Sequence, residues 1–340
     1  MISPRWFVVV LVACVACTGE SQTQYKFVRN IAVGGEGGWD DLVVDATARR
    51  LYVTHATKVV VVDLDQDKVV GEISDTPGVH SFAIAADLGH GFTSNGKEAR
   101  VSVVDLKSLK TITKVETGES PDAIVYDPAH SEVYVFNGHG NSATVIDAKT
   151  NKVLTTVALP GKPEFAAVDA PAGRVFCNIE DKSAVVAIDT KTHTVVATWP
   201  LAPGEEPSGV ALDATHHRLF SGCKNLMTMI DTENGKVVAS VPIGKGVDGC
   251  AFDAGTNLAF ASCGEGAVTI AKEETPDKLT AFQTLKTERG ARTMALDPKT
   301  HRIYTATAQI APDTTTPAAG ERRRPNYVPE TFHLLVYGPE

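Results

Sequence analysis

An aspartate that closes an apolar, alternating run recurs every 42 residues, at Asp63, Asp105, Asp147, Asp189 and Asp231, and Glu273 stands at the next step. The runs before them are Val59-Val60-Val61-Val62, Val101-Ser102-Val103-Val104, Ala143-Thr144-Val145-Ile146, Ala184-Val185-Val186-Ala187-Ile188 and Met227-Thr228-Met229-Ile230. After most of them comes a turn and a fresh β-type start, as at Lys68-Val69, Lys152-Val153 and Lys236-Val237. Aspartate suits that turn because its carboxylate accepts backbone amides two residues on. A second series, Asp45, Asp87, Asp127, Asp169, Asp213, Asp253 and Asp297, advances in steps of 40 to 44 residues, and each member leads through a turn into another strand-like run.

Each unit therefore holds four short β-type runs, and no stretch shows a useful helical period. Repeats of ~40 residues with four strands each predict propeller blades, which bury their faces by stacking around an axis. Gly338 lies 65 residues after Glu273, so the last unit carries an insertion of 23 residues, and the remaining length fits seven blades. Thr293 to Tyr337 supplies only three strands. Tyr25 to Val33 is expected to add the fourth, beside Phe332 to Val336, and so to close the ring. The predicted fold is an all-β, seven-bladed propeller with four-stranded antiparallel blades over residues 25–340.

Residues 1–24 read as a signal peptide and short tether. Arg5 precedes the apolar run Trp6 to Ala13, which is too short to span a bilayer and is followed by small residues. Ordinary cleavage near Ala16 releases a soluble protein. Leu11-Val12-Ala13-Cys14 equally fits a lipobox, in which case Cys14 is lipidated and the protein is tethered to the envelope. Either way the expected location is periplasmic or secreted. The formal charge of −9 over 340 residues argues against broad nucleic-acid binding.

Reading back five residues from each member of the second series gives Asp40, Phe82, Asp122, Glu164, Ser208, Asp248 and Arg292, one per blade at one mouth of the channel. The second blade looks displaced, so His80 or Ser81 takes the place of Phe82. Neighbouring strand ends add His55, Asn95, Asn137, His139, Asn178, Cys223 and Cys263. The ligand-binding candidates are Asp40, His55, His80, Asp122, Asn137, Glu164, Asp248 and Arg292. Carboxylate and amide oxygens with imidazole suit a divalent cation, and Glu164, Asn137, Asp248 and His55 are the residues such an ion would recruit. The alternative is a solvated polar channel in which Arg292 compensates charge.

Cys223 and Cys263 fall at equivalent positions of adjacent blades and Cys250 begins the strand beside Cys263, so the three read either as buried free thiols or as a site for one disulfide, with the pair left open. The insertion, about residues 308–330, carries Pro312, Pro317, Pro325, Pro329 and Arg322-Arg323-Arg324. It reads as a loop on the mouth side, either a disordered excursion or a lid or partner-docking arm.

Leu51-Tyr52-Val53-Thr54-His55, Val133-Tyr134-Val135-Phe136-Asn137 and Val175-Phe176-Cys177-Asn178, with the Ala143 to Val153 pattern, resemble the YVTN-repeat β-propeller family of bacterial exported proteins. The resemblance covers nearly the whole chain after the signal. It implies a monomeric envelope or secreted propeller; some relatives bind ligands or DNA, and more distant propellers are lactonases. Cys223, Cys263 and Thr307 depart from the motif's terminal Asn, and no catalytic residue carries over. The function expected is thus a binding or protein-interaction scaffold working through the channel mouth, with no cofactor beyond a divalent cation. The alternative is a metal-dependent, lactonase-like hydrolase at the same mouth.

Overall fold

The structure is a computed structural model that describes residues 24–311 and 326–340. The residues read as a signal peptide, with Cys14 among them, and residues 312–325 of the insertion lie outside the described residues. Twenty-eight strands form seven four-stranded antiparallel sheets, and the only helical turns described are the 3₁₀ segments Ala86–Leu88 and Glu180–Lys182. The innermost strands are Trp39–Asp45, Val79–Ala85, Pro121–Asp127, Pro163–Asp169, Val210–Asp213, Val247–Asp253 and Met294–Asp297. In the seventh sheet, Tyr25–Ala32 lies outermost beside His333–Pro339, with Phe27 opposite Tyr337 and Asn30 opposite Leu335.

The two aspartate series do what their chemistry suggests. Asp63 accepts the amides of Asp65 and Gln66, Asp147 those of Lys149 and Thr150, and Asp189 those of Lys191 and Thr192. In the inner series, Asp45 accepts Thr47 and Ala48, and Asp253 accepts Gly255. Glu273 departs from this pattern, because its strand runs on as Ala267–Thr275 and pairs with Lys278–Lys286 across a tight turn.

One aromatic residue per blade occupies the same place in the second strand: Tyr52, Phe92, Tyr134, Phe176, Phe220, Phe260 and Tyr304, each fully buried. This is the physical content of the motif's aromatic position, and each such burial stabilises by roughly 1.5–3 kcal/mol. Buried apolar residues form seven clusters, one at each blade–blade interface, including the interface of the seventh blade with the first, where Tyr304 and Leu334 meet Leu51 and Val53. Blades are thus cemented pairwise around the ring.

Of the two readings of the cysteines, the free thiols hold, and no disulfide forms among the described residues. Cys223, Cys250 and Cys263 are free thiols, as is Cys177. Cys250 stands opposite Ala261 and Cys263 opposite Val247, so these two are diagonal on the sheet. Diagonal neighbours lie roughly 7–8 Å apart, beyond ordinary disulfide reach. Burial pushes the Cys250 and Cys263 thiols well up, the latter to about 12, so they behave as core side chains.

Candidate functional site

Five of the seven inner strands break register at the same place. The first residue pairs normally, then the ladder shifts: between Trp39 and Leu42, Val79 and Phe82, Pro121 and Ile124, Pro163 and Ala166, and Val247 and Gly249. The residue that follows the first pair is Asp40, His80, Asp122, Glu164 or Asp248. A bulge re-aims side chains that a regular strand would alternate across the sheet. Ser208 and Arg292 stand two residues before the inner strands of blades five and seven. Phe82 is excluded from this set because its ring stacks on Tyr52 at 4.6 Å and fills the space left by Gly91, where a Cβ would come within 2.2 Å of the ring. His80 takes the blade-two place.

The side chains meet around the axis. His80 Nδ1 lies 2.6 Å from Asp40 Oδ2 and 3.7 Å from Asp122 Oδ1. Ser208 donates to Asp248 Oδ1 at 2.9 Å, Arg292 Nε reaches Asp248 Oδ2 at 2.5 Å, and Arg292 Nη2 reaches Asp40 Oδ1 at 3.4 Å. Lys162 binds Glu164 at 2.6 Å and also Glu180. Behind the ring, Asp41 accepts the Ser81 hydroxyl at 2.5 Å.

Straps between blades hold the ring residues by their main chains. The hydroxyl of Thr54 donates to the carbonyl of His80 at 2.9 Å, that of Ser94 to the carbonyl of Asp122, and that of Ser262 to the carbonyl of Arg292 at 2.5 Å; the Asn178 amide reaches the Ser208 carbonyl at 2.8 Å. Each strap crosses from one blade to the next, so His80, Asp122, Ser208 and Arg292 are each positioned by the neighbouring blade. Each strap residue stands one before the last residue of its strand; Asn178 was among the expected strand-end residues, whereas Thr54, Ser94 and Ser262 were not singled out from sequence. Their signal was a small polar side chain in an otherwise apolar strand.

Two expected members belong elsewhere. His55 is buried and stacks on Phe332 at 4.3 Å, and the Phe332 ring in turn lies 5.0 Å from that of Trp39, which packs on Tyr327 at 4.6 Å. Burial lowers its pKa. Asn137 is buried in its own hairpin, where its amide donates to Ser142 at 3.1 Å and Thr144 at 3.0 Å. The set Glu164, Asn137, Asp248 and His55 therefore does not converge: Lys162 holds the first, a hairpin the second, Arg292 the third and an aromatic stack the fourth. Asp40, His80 and Asp122 do converge, with one ligand atom from each within 4.8 Å of the others.

The carboxylates outnumber their cations. Burial raises the Asp122 pKa to about 6, with His80 opposing and Asp40 adding to the shift. Burial likewise lifts Asp41 to about 7 and raises Glu164 and Asp248, the former also through Asp122. Beside the ring, a basin of about 710 Å³ is lined by Glu164, Glu206, Lys224, Lys245, Asp248 and Arg292 among others. Below it the channel, about 480 Å³, is walled mainly by apolar side chains such as Val43, Ile84, Ile124, Phe165 and Leu296. The channel is thus an apolar tube under a charged collar rather than a polar one throughout. The described ends of the insertion meet at this mouth, where Ile310 bridges Tyr327 and Glu330 accepts the Gly35 amide at 2.9 Å.

No family model matches the chain, and no curated protein matches it. Many solved structures do. A chain of the Kuenenia stuttgartiensis hydrazine synthase is 18% identical with a TM-score of 0.68, over 82% of this chain and 94% of its own. The RRP9 WD40 repeats are 10% identical with a TM-score of 0.75, over 91% and 97%. A chain of the mitotic checkpoint complex is 14% identical with a TM-score of 0.74, over 99% of both. The chain is a seven-bladed propeller with WD40-like neighbours. At such identities the likeness speaks for the fold.

Proposed function

We propose that the protein is an exported binding scaffold that docks a protein partner through its channel mouth, by receiving a lysine or arginine side chain of that partner. One observation carries this reading: seven blades each aim one polar side chain at a common collar, and the collar holds more carboxylate than cation. Asp122 makes no direct pair with a lysine or arginine among the described residues: His80 lies 3.7 Å away and Lys162 acts from farther off, while burial, with Asp40 and Asp248 adding, raises its pKa to about 6. An incoming ammonium or guanidinium supplies the missing positive charge. WD40-like folds are typical of interaction scaffolds, and the leader-like residues 1–24 support export. The YVTN-type motifs accord with that setting.

A fluorescence-anisotropy titration with a lysine-rich peptide and a glutamate-rich one of equal length tests the reading. Saturable binding of the basic peptide alone supports it; equal binding of both, or of neither, defeats it.

A second reading rests on Asp40, His80 and Asp122, whose donor atoms suit a divalent ion that polarises a carbonyl or activates water, as in a lactonase-like hydrolase. Lactone turnover that appears with added Ca²⁺, Mn²⁺ or Zn²⁺ and vanishes in His80→Ala would favour it over the scaffold.

A further inference from the structure

We infer that Asp213, His216 and Glu273 form a structural site for a first-row divalent transition-metal ion, with Zn²⁺ chemistry, that stitches blade five to blade six at the face opposite the mouth. The inner strand of blade five runs away from Ser208 and ends at Asp213. There Asp213 Oδ1 accepts the Thr215 amide at 2.9 Å, which leaves Oδ2 facing His216 Nδ1 at 2.6 Å. Glu273 arrives from the third strand of blade six with Oε1 3.4 Å from the same nitrogen. Donor atoms of all three residues lie within 4.8 Å of one another.

Glu273 makes this more than a cluster of acids. Its side chain is 1% exposed, and neither oxygen finds a hydrogen-bond donor. A buried carboxylate left in that state is costly. The five preceding repeats carry Asp here, and those that cap a turn do so at the surface. Only blade six has the longer glutamate, turned inward.

The neighbouring blades show what is missing. The aspartate equivalent to Asp213 in blade six, Asp253, receives His301 of the next blade at 2.7 Å; in blade seven, Asp297 receives Arg49 of the next blade at 2.8 Å. The next blade thus brings an imidazole to Asp253 and a guanidinium to Asp297. To Asp213, which has the imidazole of its own blade's His216, the next blade brings a second carboxylate. Arg218 is nearby, but its guanidinium is held by Asp277 at 2.9 Å and Asp231 at 3.5 Å. Burial, and then Asp213, push the Glu273 carboxyl up to about 7. A divalent ion meets this need. One imidazole and two carboxylates suit Zn²⁺ or its neighbours in the series, which bind such ligands at ~2.0–2.2 Å. His216 is 39% exposed, so its ring has freedom to open the 2.6 Å contact, and solvent supplies the fourth ligand.

The test uses untagged, chelator-treated protein in a His80→Ala background, so that the mouth does not compete for metal. Calorimetry with Zn²⁺ is expected to show one equivalent bound, and the melting temperature is expected to rise with Zn²⁺ concentration. Glu273→Gln and His216→Ala should each weaken binding by at least about tenfold. Without metal, Glu273→Gln should melt no lower than its parent, since it removes carboxylate repulsion. A Co²⁺-loaded parent should show visible absorption that both substitutions abolish. Absence of Zn²⁺ binding in the parent, or a melting increment retained in both variants, would overturn the site.

Discussion

The hydroxyl of Thr54 in blade one donates to the main-chain carbonyl of His80 in blade two, at 2.9 Å, and also reaches the carbonyl of Asp41 at 3.1 Å. The collar therefore depends on residues that never face it. Replacing Thr54 with valine keeps the shape and removes the donor. Both carbonyls lose a buried partner, so denaturant unfolding should show a loss of about 1–3 kcal/mol. A neutral result would show that the straps are incidental.

Phe92 lies fully buried in the cluster between blades two and three, with Val101, Val103 and Val135. Phe92→Ala leaves a void that the packed interface cannot fill. We expect a loss of about 3–5 kcal/mol in equilibrium unfolding, with the fold retained.

Arg292 is the collar's cation between Asp248 and Asp40. Arg292→Gln leaves both carboxylates facing each other with less compensation. Breaking a buried pair costs about 3–5 kcal/mol, but this side chain is 36% exposed, so a loss of about 1–2 kcal/mol at pH 8 is expected. The loss should shrink as pH falls, because burial raises the Asp248 carboxyl and a protonated Asp248 no longer needs Arg292.

The raised acids set the sign of the pH dependence. Asp122 moves from 3.8 to about 6 and Asp41 from 3.8 to about 7. In this range the folded chain holds protons that the unfolded chain releases. The contribution of each is full below about pH 4, is lost as pH rises through the folded value, and is flat above it. Melting temperature should therefore fall between pH 5 and pH 7, and Asp41→Asn should flatten the slope. Acids pulled down by partners, such as Asp297 and Asp147, act the other way and only below about pH 4. A rise in melting temperature from pH 5 to pH 7 would contradict the assignment.

Much of this architecture was visible in the aspartate spacing, because turn chemistry repeats wherever a blade repeats. Asp40, Asp122, Glu164, Asp248 and Arg292 could be found by counting back from it. His80 could be found only as one of two candidates, since its strand ends at Ala85 and Asp87 falls in the 3₁₀ turn that follows, so counting back from Asp87 lands two residues late. His55 went astray because its partner, Phe332, comes from the far end of the chain and converts a rim position into a core one. The cysteines aligned by repeat position, but repeat equivalence says nothing of the diagonal offset that keeps Cys250 and Cys263 apart. Glu273 fitted its series as one more turn acid, and only the packing shows it turned inward toward Asp213.

The collar as a receptor for positive charge is best tested by calorimetric titration of the protein with a lysine-rich peptide, comparing the wild type with Asp122→Asn/Glu164→Gln at low and high salt. The wild type should bind saturably, with affinity that falls as salt rises, and the double variant should bind at least about tenfold more weakly, roughly 1.4 kcal/mol. Equal affinity in the two proteins would mean that the charged collar is not where a partner docks.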